Sequence, residues 1–265
     1  MKRILTLVAP LIVLAGSVAA APGLNLGWNL ACPTTAASAP DMVDPCETNF
    51  NLYYLVGSVR APAGLSKVTA EELIFDLVEA APALSPWWHL EDAAAFSPGG
   101  CRGTTPVNQG SLVVQAAYQG LSQTTCRSYW NPSNTQGGQN YVVGFAGPNR
   151  ARLQAIFART ASTAGPLTAN VQYYVAIATL DMQHTVPDPT LPPPGNSCLG
   201  CQDGVCIVFS SCRLDQPPGT PNGDIAIINQ DIRQFVTWQG GMGTSCPADT
   251  PTRHATWGMV KSLYR

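Results

Sequence analysis

Apolar and polar residues alternate with a period of two along several segments of this chain. In residues 150–157 the odd positions are apolar, whereas Arg150, Arg152 and Gln154 are polar. Such alternation is typical of a β-strand with one buried face. Residues 171–179 show the same period, and we expect one face of that strand to pack inward. The side chains on that face are Val171, Tyr173, Val175 and Ile177.

Six further segments are predicted to be strands from shorter alternating or apolar runs. They are residues 52–59, 70–78, 112–118, 141–145, 205–214 and 224–229. The run 71–78 also permits a helix, because the period of a short apolar run does not distinguish the two. Turns rich in Gly and Pro separate these segments, as at residues 98–100 and 217–219. Many short strands between such turns predict a mostly β fold, an antiparallel β-sandwich of the immunoglobulin-like or jelly-roll-like kind with long loops.

One segment, residues 85–95, has the features of a short helix. Ser85 is suited to cap it and Pro86 to occupy its first position. Residues 185–196 hold five prolines, which predicts a stiff loop rather than a helix or strand. The sequence therefore predicts at most one or two short helices.

Residues 1–20 have the organisation of a signal peptide. Two basic residues follow the initiator methionine, an apolar run reaches about Val13, and small residues end at Ala20. We predict cleavage after Ala20, since this order is typical of secretory leaders. Ser17 stands where a lipoprotein signal has its lipid-accepting cysteine. We therefore expect a secreted or periplasmic product in which residues 21–265 form a single disulfide-stabilised β-sandwich domain.

Charge is scarce in this sequence. Charged residues make up 11% and the net charge is −2, whereas typical soluble domains have about 25% charged residues. Binding to nucleic acid requires a basic stripe, which the sequence lacks. No cationic amphipathic helix indicates insertion into a membrane. The candidate partners are carbohydrate or another surface protein, and the oligomeric state stays open.

Nine cysteines lie beyond the leader, and cysteines of exported proteins usually pair. Eight are candidates for disulfides: Cys32, Cys46, Cys101, Cys126, Cys198, Cys201, Cys206 and Cys246. Their spacing makes Cys32 with Cys46 and Cys101 with Cys126 plausible local pairs, each stabilising the fold by about 3 kcal/mol. Because nine is odd, at least one thiol is free or pairs with another chain. A bridge between chains would indicate a subunit of a larger assembly.

The cysteine-rich segment 198–206 permits several chemistries. A thioredoxin-like site requires a helix after its Cys-x-x-Cys, and a c-type haem requires His where this chain has Gln202. Zinc would require four thiolates that extend to Cys212. If residues 205–214 form an extended strand, Cys206 and Cys212 lie on one face but about 20 Å apart, too far for one metal. We therefore predict disulfides here, with no metal and no cofactor.

No local motif indicates catalysis. The chain lacks the Gly-x-Ser-x-Gly signature of a hydrolase nucleophile. The candidate acid–base residues are His89, His184, His254 and the acidic pairs Glu71–Glu72, Asp76–Glu79 and Glu91–Asp92. The candidate calcium ligands are Asp41, Asp44, Glu47 and Asp188. Their spacing matches neither a local active site nor a defined calcium loop, so no catalytic residue and no metal ligand is predicted.

Two aromatic pairs give the best indication of ligand binding. Trp87–Trp88 and Tyr129–Trp130 stand beside turn-forming Pro, Ser and Asn residues. Exposed Trp and Tyr rings on a β scaffold can stack on sugar rings, so these four are the predicted ligand-binding residues. The alternative is that at least one ring of each pair belongs to the core, where large aromatic side chains are usually found.

Five segments spread over most of the mature chain carry a resemblance to known proteins. They are residues 22–29, 147–152, 198–209, 235–241 and 257–265. Together they resemble uncharacterised secreted bacterial β-rich proteins, which implies a bacterial source and an exported β-rich product, but no chemistry. We therefore expect a non-enzymatic sandwich protein with a structural, adhesive or ligand-binding role at or outside the cell surface. The alternative is an extracellular hydrolase, glycosidase- or esterase-like, with a site assembled from distant residues.

Overall fold

The computed structural model describes residues 23–29, 32, 40–90, 112–116, 126–130, 134–187, 197–231, 233–241 and 246. Regular structure in these residues is almost entirely β-strand. The strands are β1 (Gly23–Trp28), β2 (Asp41–Met42), β3 (Leu52–Arg60), β4 (Ala70–Glu79), β5 (Leu112–Gln115), β6 (Arg127–Ser128), β7 (Gln136–Val143), β8 (Arg150–Ala158), β9 (Gln172–Asp181), β10 (Val205–Asp215), β11 (Ile225–Ile227) and β12 (Phe235–Trp238). A short 3-10 turn, Pro86–Trp88, follows β4.

The strands form two sheets that pack face to face. The first sheet has the order β1-β3-β9-β5, and β6 pairs in parallel with β9. The second sheet has the order β2-β12-β10-β4-β8-β7, and β11 pairs with β10. One buried cluster unites Leu24 and Val59 of the first sheet with Leu73 and Leu153 of the second. The structure is a mostly antiparallel β-sandwich, which confirms the predicted fold class.

In strands β4 and β8, the alternation of apolar and polar residues in the sequence corresponds to the inner and outer faces of the sheet. The inward side chains of β8 are buried in the core; they are Ala151, Leu153, Ala155 and Phe157. On the outer face, Arg152 pairs with Asp76 of β4, with 2.7 Å between Nε and Oδ1. The ambiguous run 71–78 belongs to strand β4, because β8 and β10 pair with its two edges and satisfy its backbone groups.

A β-bulge in β9 changes which side chains face the core. Val175 has no partner on β3, and one extra residue in a strand shifts every later side chain to the other face. Tyr173 and Val175 pack in the main core. Ile177 lies instead in a small outer cluster with Tyr174 and Cys126. The predicted inward orientation of Ile177 is therefore wrong.

A second bulge, in β10, separates two cysteines expected on one face. Ser210 has no partner on β4, and its hydroxyl donates to the carboxylate of Asp76 at 2.6 Å. Cys206, before the bulge, is bonded to Cys246. Cys212, after the bulge, is buried in the core as a free thiol. The prediction that both cysteines face the same side is corrected by this one-residue shift.

The disulfides join segments that are distant in the chain. They are Cys32–Cys126, Cys46–Cys201 and Cys206–Cys246, with sequence separations of 94, 155 and 40. Cys198 is also disulfide-bonded, and Cys101 lies outside the described residues. The local pairs predicted for Cys32 with Cys46 and for Cys101 with Cys126 are wrong, because Cys32 and Cys126 are bonded to each other. Closing the two longest loops stabilises the fold by about 4–5 kcal/mol each in the chain-entropy model.

In the described part of the helix predicted for residues 85–95, residues 85–90, the one helical turn is the 3-10 turn Pro86–Trp88. Ser85 makes no side-chain capping bond. Trp87 and Trp88 are both fully buried, and burial of two adjacent rings outweighs the local preference for a longer helix. Residues 91–95 lie outside the described residues. Nowhere in the described chain does a helix have the length and apolar character needed to cross a membrane.

The free thiol of Cys212 should be unreactive in the native protein. Burial raises the pKa of Cys212, and the nearby carboxylates of Glu71 and Asp215 raise it further, while the thiolate is the form that reacts. We expect iodoacetamide to leave Cys212 unlabelled in the folded protein and to label it fully in guanidinium chloride, as read by mass spectrometry. Native labelling, or a Cys212 bridge between chains on a non-reducing gel, would contradict this expectation.

Candidate functional site

Three loops meet at one end of the sandwich, and together we call them the loop platform. The platform consists of residues 43–50, 182–187 and 197–203. The Cys46–Cys201 disulfide joins the first loop to the third. The side-chain amide of Asn49 donates to the carbonyl of Val186 at 3.0 Å and accepts from its N–H at 2.9 Å, which joins the first loop to the second. Loops more than 130 residues apart are thereby held side by side.

Further bonds hold the second loop against its neighbours. The N–H of Cys198 donates to the carbonyl of His184 at 2.6 Å, and the N–H of Met182 donates to the carbonyl of Asn51 at 3.1 Å. His184 has a φ of 63°, a left-handed conformation that costs about 1 kcal/mol for a residue other than glycine. The surrounding bonds offset this cost and hold the loop in one conformation.

Asp44 anchors the first loop from inside. Its buried carboxylate accepts bonds from the hydroxyl of Tyr53, the amide of Asn51 at 3.2 Å and the N–H of Cys46 at 2.6 Å. Burial, with the bond to Asp44 and its charge, raises the pKa of Tyr53 to about 12. Asp44, Cys46 and Cys201 are grouped closely enough to suggest a metal site among the described residues. Disulfide-bonded sulfurs are not thiolate ligands, so this cluster is structural.

The pair Trp87–Trp88 lies beneath the platform rather than on its surface. Both side chains are 0% exposed. The N–H of Trp87 donates to the carbonyl of Leu199, and its indole N–H donates to the hydroxyl of Thr185, both at 2.9 Å. The ring of Trp87 also stacks on Trp238, with 5.4 Å between ring centroids. Carbohydrate stacking on Trp87 and Trp88 stays a prediction, one that requires the core to open.

The second predicted aromatic pair lies at the other end of β4. The hydroxyl of Tyr129 donates to the carbonyl of Val68 at 2.6 Å and accepts from the N–H of Gly165 at 2.9 Å. Trp130 is 3% exposed. The guanidinium carbon of Arg159 lies 4.3 Å and 5.2 Å from the centroids of the two rings. The structure therefore does not bring the two predicted pairs together into one site.

An open groove of about 490 Å³ lies between the first two loops of the platform. It is lined by Glu47, Thr48, Asn49, Phe50, Gln183, His184, Val186 and Pro187. Phe50 is 91% exposed, and Leu199 and Val43 elsewhere on the platform are 79% and 69% exposed. Sequence reasoning missed the groove, because Phe50 is a single aromatic residue between two Asn residues and has no periodic pattern around it.

The third loop depends on a glycine and stands over a buried carboxyl. Gly200 has a φ of 109°, and a Cβ at this position would overlap the side chain of Ser85. The N–H of Ser85 donates to the carboxylate of Glu79 at 2.6 Å. Burial raises the pKa of Glu79, although the bonds from Ser85 lower it. Any side chain at position 200 would displace this arrangement.

Glu71 is a buried carboxyl at the opposite end of β4. It is 1% exposed, and its polar neighbours are the indole of Trp130 and the guanidinium of Arg159. Burial raises the pKa of Glu71 well above its usual value, while the indole of Trp130 and the charge of Arg159 have smaller, opposite effects. Because solvent does not reach it, this carboxyl is not placed to act on an external substrate.

Among the described residues, the carboxyl groups considered for catalysis do not meet as a pair. Glu71 and Glu79 both face inward from β4, but their eight-residue separation corresponds to about 26 Å of strand. Glycosidase carboxyl groups are about 5–10 Å apart. Asp76 is paired with an arginine on the outer face of the second sheet. His89 lies beside the platform, where its Nε2 is 3.3 Å from the carbonyl of Leu84.

The calcium candidates that the structure describes are Asp41, Asp44 and Glu47, and they lie in three different settings. Asp41 accepts bonds from the hydroxyl of Thr237 at 2.7 Å and the N–H of Gly240 at 3.0 Å. Asp44 belongs to the buried network described above, and Glu47 is an exposed lining residue of the groove. His254, Glu91, Asp92 and Asp188 lie outside the described residues.

No protein-family model matches this chain, and no curated protein sequence matches it. Among solved structures, a cohesin module from a Clostridium perfringens ATCC13124 family 33 glycoside hydrolase is similar with 6% identity and a TM-score of 0.33, over 83% of this chain and 97% of that chain. The second type II cohesin module of the adaptor ScaA scaffoldin of Acetivibrio cellulolyticus is similar with 9% identity and a TM-score of 0.29, over 79% and 85% of the two chains. Similarity at this level does not assign the chain to a family.

Proposed function

We propose that this protein is a secreted, non-enzymatic binding protein that acts at or outside the cell surface through its loop platform. In this proposal residues 1–20 direct export and are removed, and residues 21–265 fold as a single sandwich domain. The disulfides support an oxidising location, because such bonds form and persist there. The partner is another component of the cell surface, carbohydrate or protein.

This proposal is carried by one observation: the loop platform is cross-linked and hydrogen-bonded, and it presents exposed apolar side chains above a fully packed core. Phe50 and Leu199 are exposed to 91% and 79%, while Trp87 and Trp88 beneath them are fully buried. Exposed apolar groups on loops held by a rigid scaffold are typical of interaction sites. Loops already cross-linked by a disulfide lose little conformational entropy when they bind.

Retention on bacterial envelopes tests the proposal. Fluorescently labelled mature protein is incubated with washed envelope preparations, and the bound fraction is measured after sedimentation. We expect retention of the wild type and a loss of about tenfold in a Phe50→Ser, Leu199→Ser variant, because each apolar anchor contributes to affinity. Ile156→Ser is the matched control, since Ile156 is 47% exposed on the outer face of the second sheet.

Two results would count against the proposal. One is an absence of retention by the wild type on every envelope tested. The other is equal retention of the wild type and the platform variant, which would place the binding surface elsewhere. A companion measurement follows export of the full chain in a bacterial host, where two lysines placed in the apolar run, Leu7→Lys and Val8→Lys, should keep the protein in the cytoplasm.

A further inference from the structure

We propose that the groove beside Phe50 is a binding site for a neutral saccharide. This inference rests on the proposed function and names the ligand class for one part of the loop platform. It differs from the prediction made from Trp87, Trp88, Tyr129 and Trp130, which placed sugar stacking on other residues.

The groove is preformed and has the size of a small-ligand site. Its volume of about 490 Å³ falls within the range of about 300–1,000 Å³ that is usual for such sites. Its two walls are joined by the reciprocal bonds between Asn49 and Val186, at 3.0 and 2.9 Å. The left-handed His184 is held by the N–H of Cys198. A ligand can therefore bind without first ordering the loops.

The charge of the groove argues against an anionic ligand. Neither Lys nor Arg lines it, and Glu47 is the one acidic side chain among the lining residues that the structure describes. A phosphate, sulfate or uronate group would meet the carboxylate of Glu47, and His184 is the one basic side chain among the described lining residues, with no Lys or Arg to balance an anion. The groove therefore favours a neutral ligand, or one that carries a positive charge.

The side chains in the groove match the two kinds of surface that a sugar ring presents. Phe50 offers a flat apolar ring that is 91% exposed, which suits the C–H face of a pyranose. Glu47 and Gln183 offer an exposed carboxylate and amide, and these groups accept and donate bonds to hydroxyl groups. The hydroxyl oxygen of Thr48 accepts a bond from the N–H of Phe50 at 3.2 Å, so its own proton is left to donate.

A basic peptide is the competing ligand, and it fits less well. Such a peptide would depend on Glu47 for an ion pair, and an exposed ion pair contributes only about 0–1 kcal/mol. The amide of Gln183 and the hydroxyl of Thr48 would then have no charged partner. A polyhydroxylated neutral ligand uses all of these groups together with the ring of Phe50.

Calorimetric titration of the mature protein tests the inference. The probes are neutral gluco-, xylo-, manno- and chito-oligosaccharides, with oligogalacturonate as the anionic probe and oligolysine as the cationic probe. We expect at least one neutral oligosaccharide to bind, oligogalacturonate not to bind, and Phe50→Ala to weaken the neutral ligand by about tenfold. Ile156→Ala is the control, because Ile156 is exposed on the outer face of the second sheet and does not line the groove.

Three outcomes would overturn the inference: no neutral oligosaccharide binds, Phe50→Ala leaves the binding unchanged, or oligolysine alone binds and is lost in Glu47→Gln. Thermal melting of each variant shows whether the fold is intact, which the exposure of Phe50 predicts. Failure here is distinct from failure of the proposed function. If envelope retention depends on the platform while no saccharide binds, the saccharide inference falls and the binding role stands.

Discussion

Glu71→Gln should make the protein more stable than the wild type at neutral and mildly alkaline pH. Burial raises the folded-state pKa of Glu71 above its ordinary value of 4.5, so the folded protein binds this proton more tightly than the unfolded chain. The contribution of Glu71 to the stability of the wild type is therefore fully present below about pH 4.5. This contribution is lost as the pH rises toward the raised pKa. The expected slope is about 1.4 kcal/mol per pH unit.

The measurement is the free energy of unfolding in urea between pH 5 and about pH 8. The glutamine amide of the variant cannot ionise, so Glu71→Gln should lack the part of the slope that is due to Glu71 and should be the more stable protein at the upper end. Glu79 is also buried with a raised pKa and leaves a residual slope. Glu72→Gln is the matched control, because Glu72 is a partly exposed neighbour on the same strand. If the free energy of unfolding of Glu71→Gln depended on pH as steeply as that of the wild type, the raised pKa of Glu71 would be contradicted.

Trp238→Ala should destabilise the sandwich by about 3–5 kcal/mol, the cost usual for removing a fully buried Trp. Trp238 is 0% exposed, and its ring packs against Trp28, Tyr53, Trp87 and Trp88 with centroid distances of 5.3–5.9 Å. Its indole N–H donates to the carbonyl of Cys201 at 2.6 Å. The change would thus leave a cavity and deprive the third platform loop of a buried bond.

Urea denaturation of three variants separates these contributions. Trp238→Phe keeps most of the volume but loses the hydrogen bond, so its loss of stability should be smaller, about 1–2 kcal/mol. Phe235→Ala is the control on the same strand, because Phe235 is only partly buried, and we expect a loss of about 1 kcal/mol or less. Hydrogen exchange at residues 198–203 should increase in Trp238→Ala. If Trp238→Ala and Phe235→Ala were equally stable, the large contribution of the buried Trp238 ring to stability would be contradicted.

The sequence predicts the β-sandwich and its long loops, but it does not predict which residues form the candidate site. Trp87 and Trp88 are predicted ligand-binding residues, but their polar neighbours in sequence give no indication that Leu199 and Thr185 lie over them. The residues around Phe50 show no alternation of apolar and polar positions, so the sequence does not predict that its side chain is exposed. Side-chain exposure is decided by segments that pack from far away, and the groove is made by loops separated by more than 130 residues.

Residues 150–157 and 70–78 show what the sequence by itself determined. Alternation places successive side chains on opposite faces of a strand, so a local pattern was enough to predict most strands and the sandwich class. The short strands β1 (Gly23–Trp28) and β12 (Phe235–Trp238) are not among the predicted strands. Leu24, Leu26 and Trp28 do alternate with Gly and Asn, but a run of six residues or fewer is weak evidence for a strand by itself.

Only the tertiary structure decided the bulges, the disulfide partners and the platform. Val175 and Ser210 are extra residues with respect to a neighbouring strand, so neither bulge exists until that strand pairs. Cys46 meets Cys201 across 155 residues because two strand ends of the sandwich coincide in space, not because of any spacing along the chain. Periodicity is a property of consecutive residues, whereas cross-linking, exposure and a binding groove depend on which distant segments share one end of the fold.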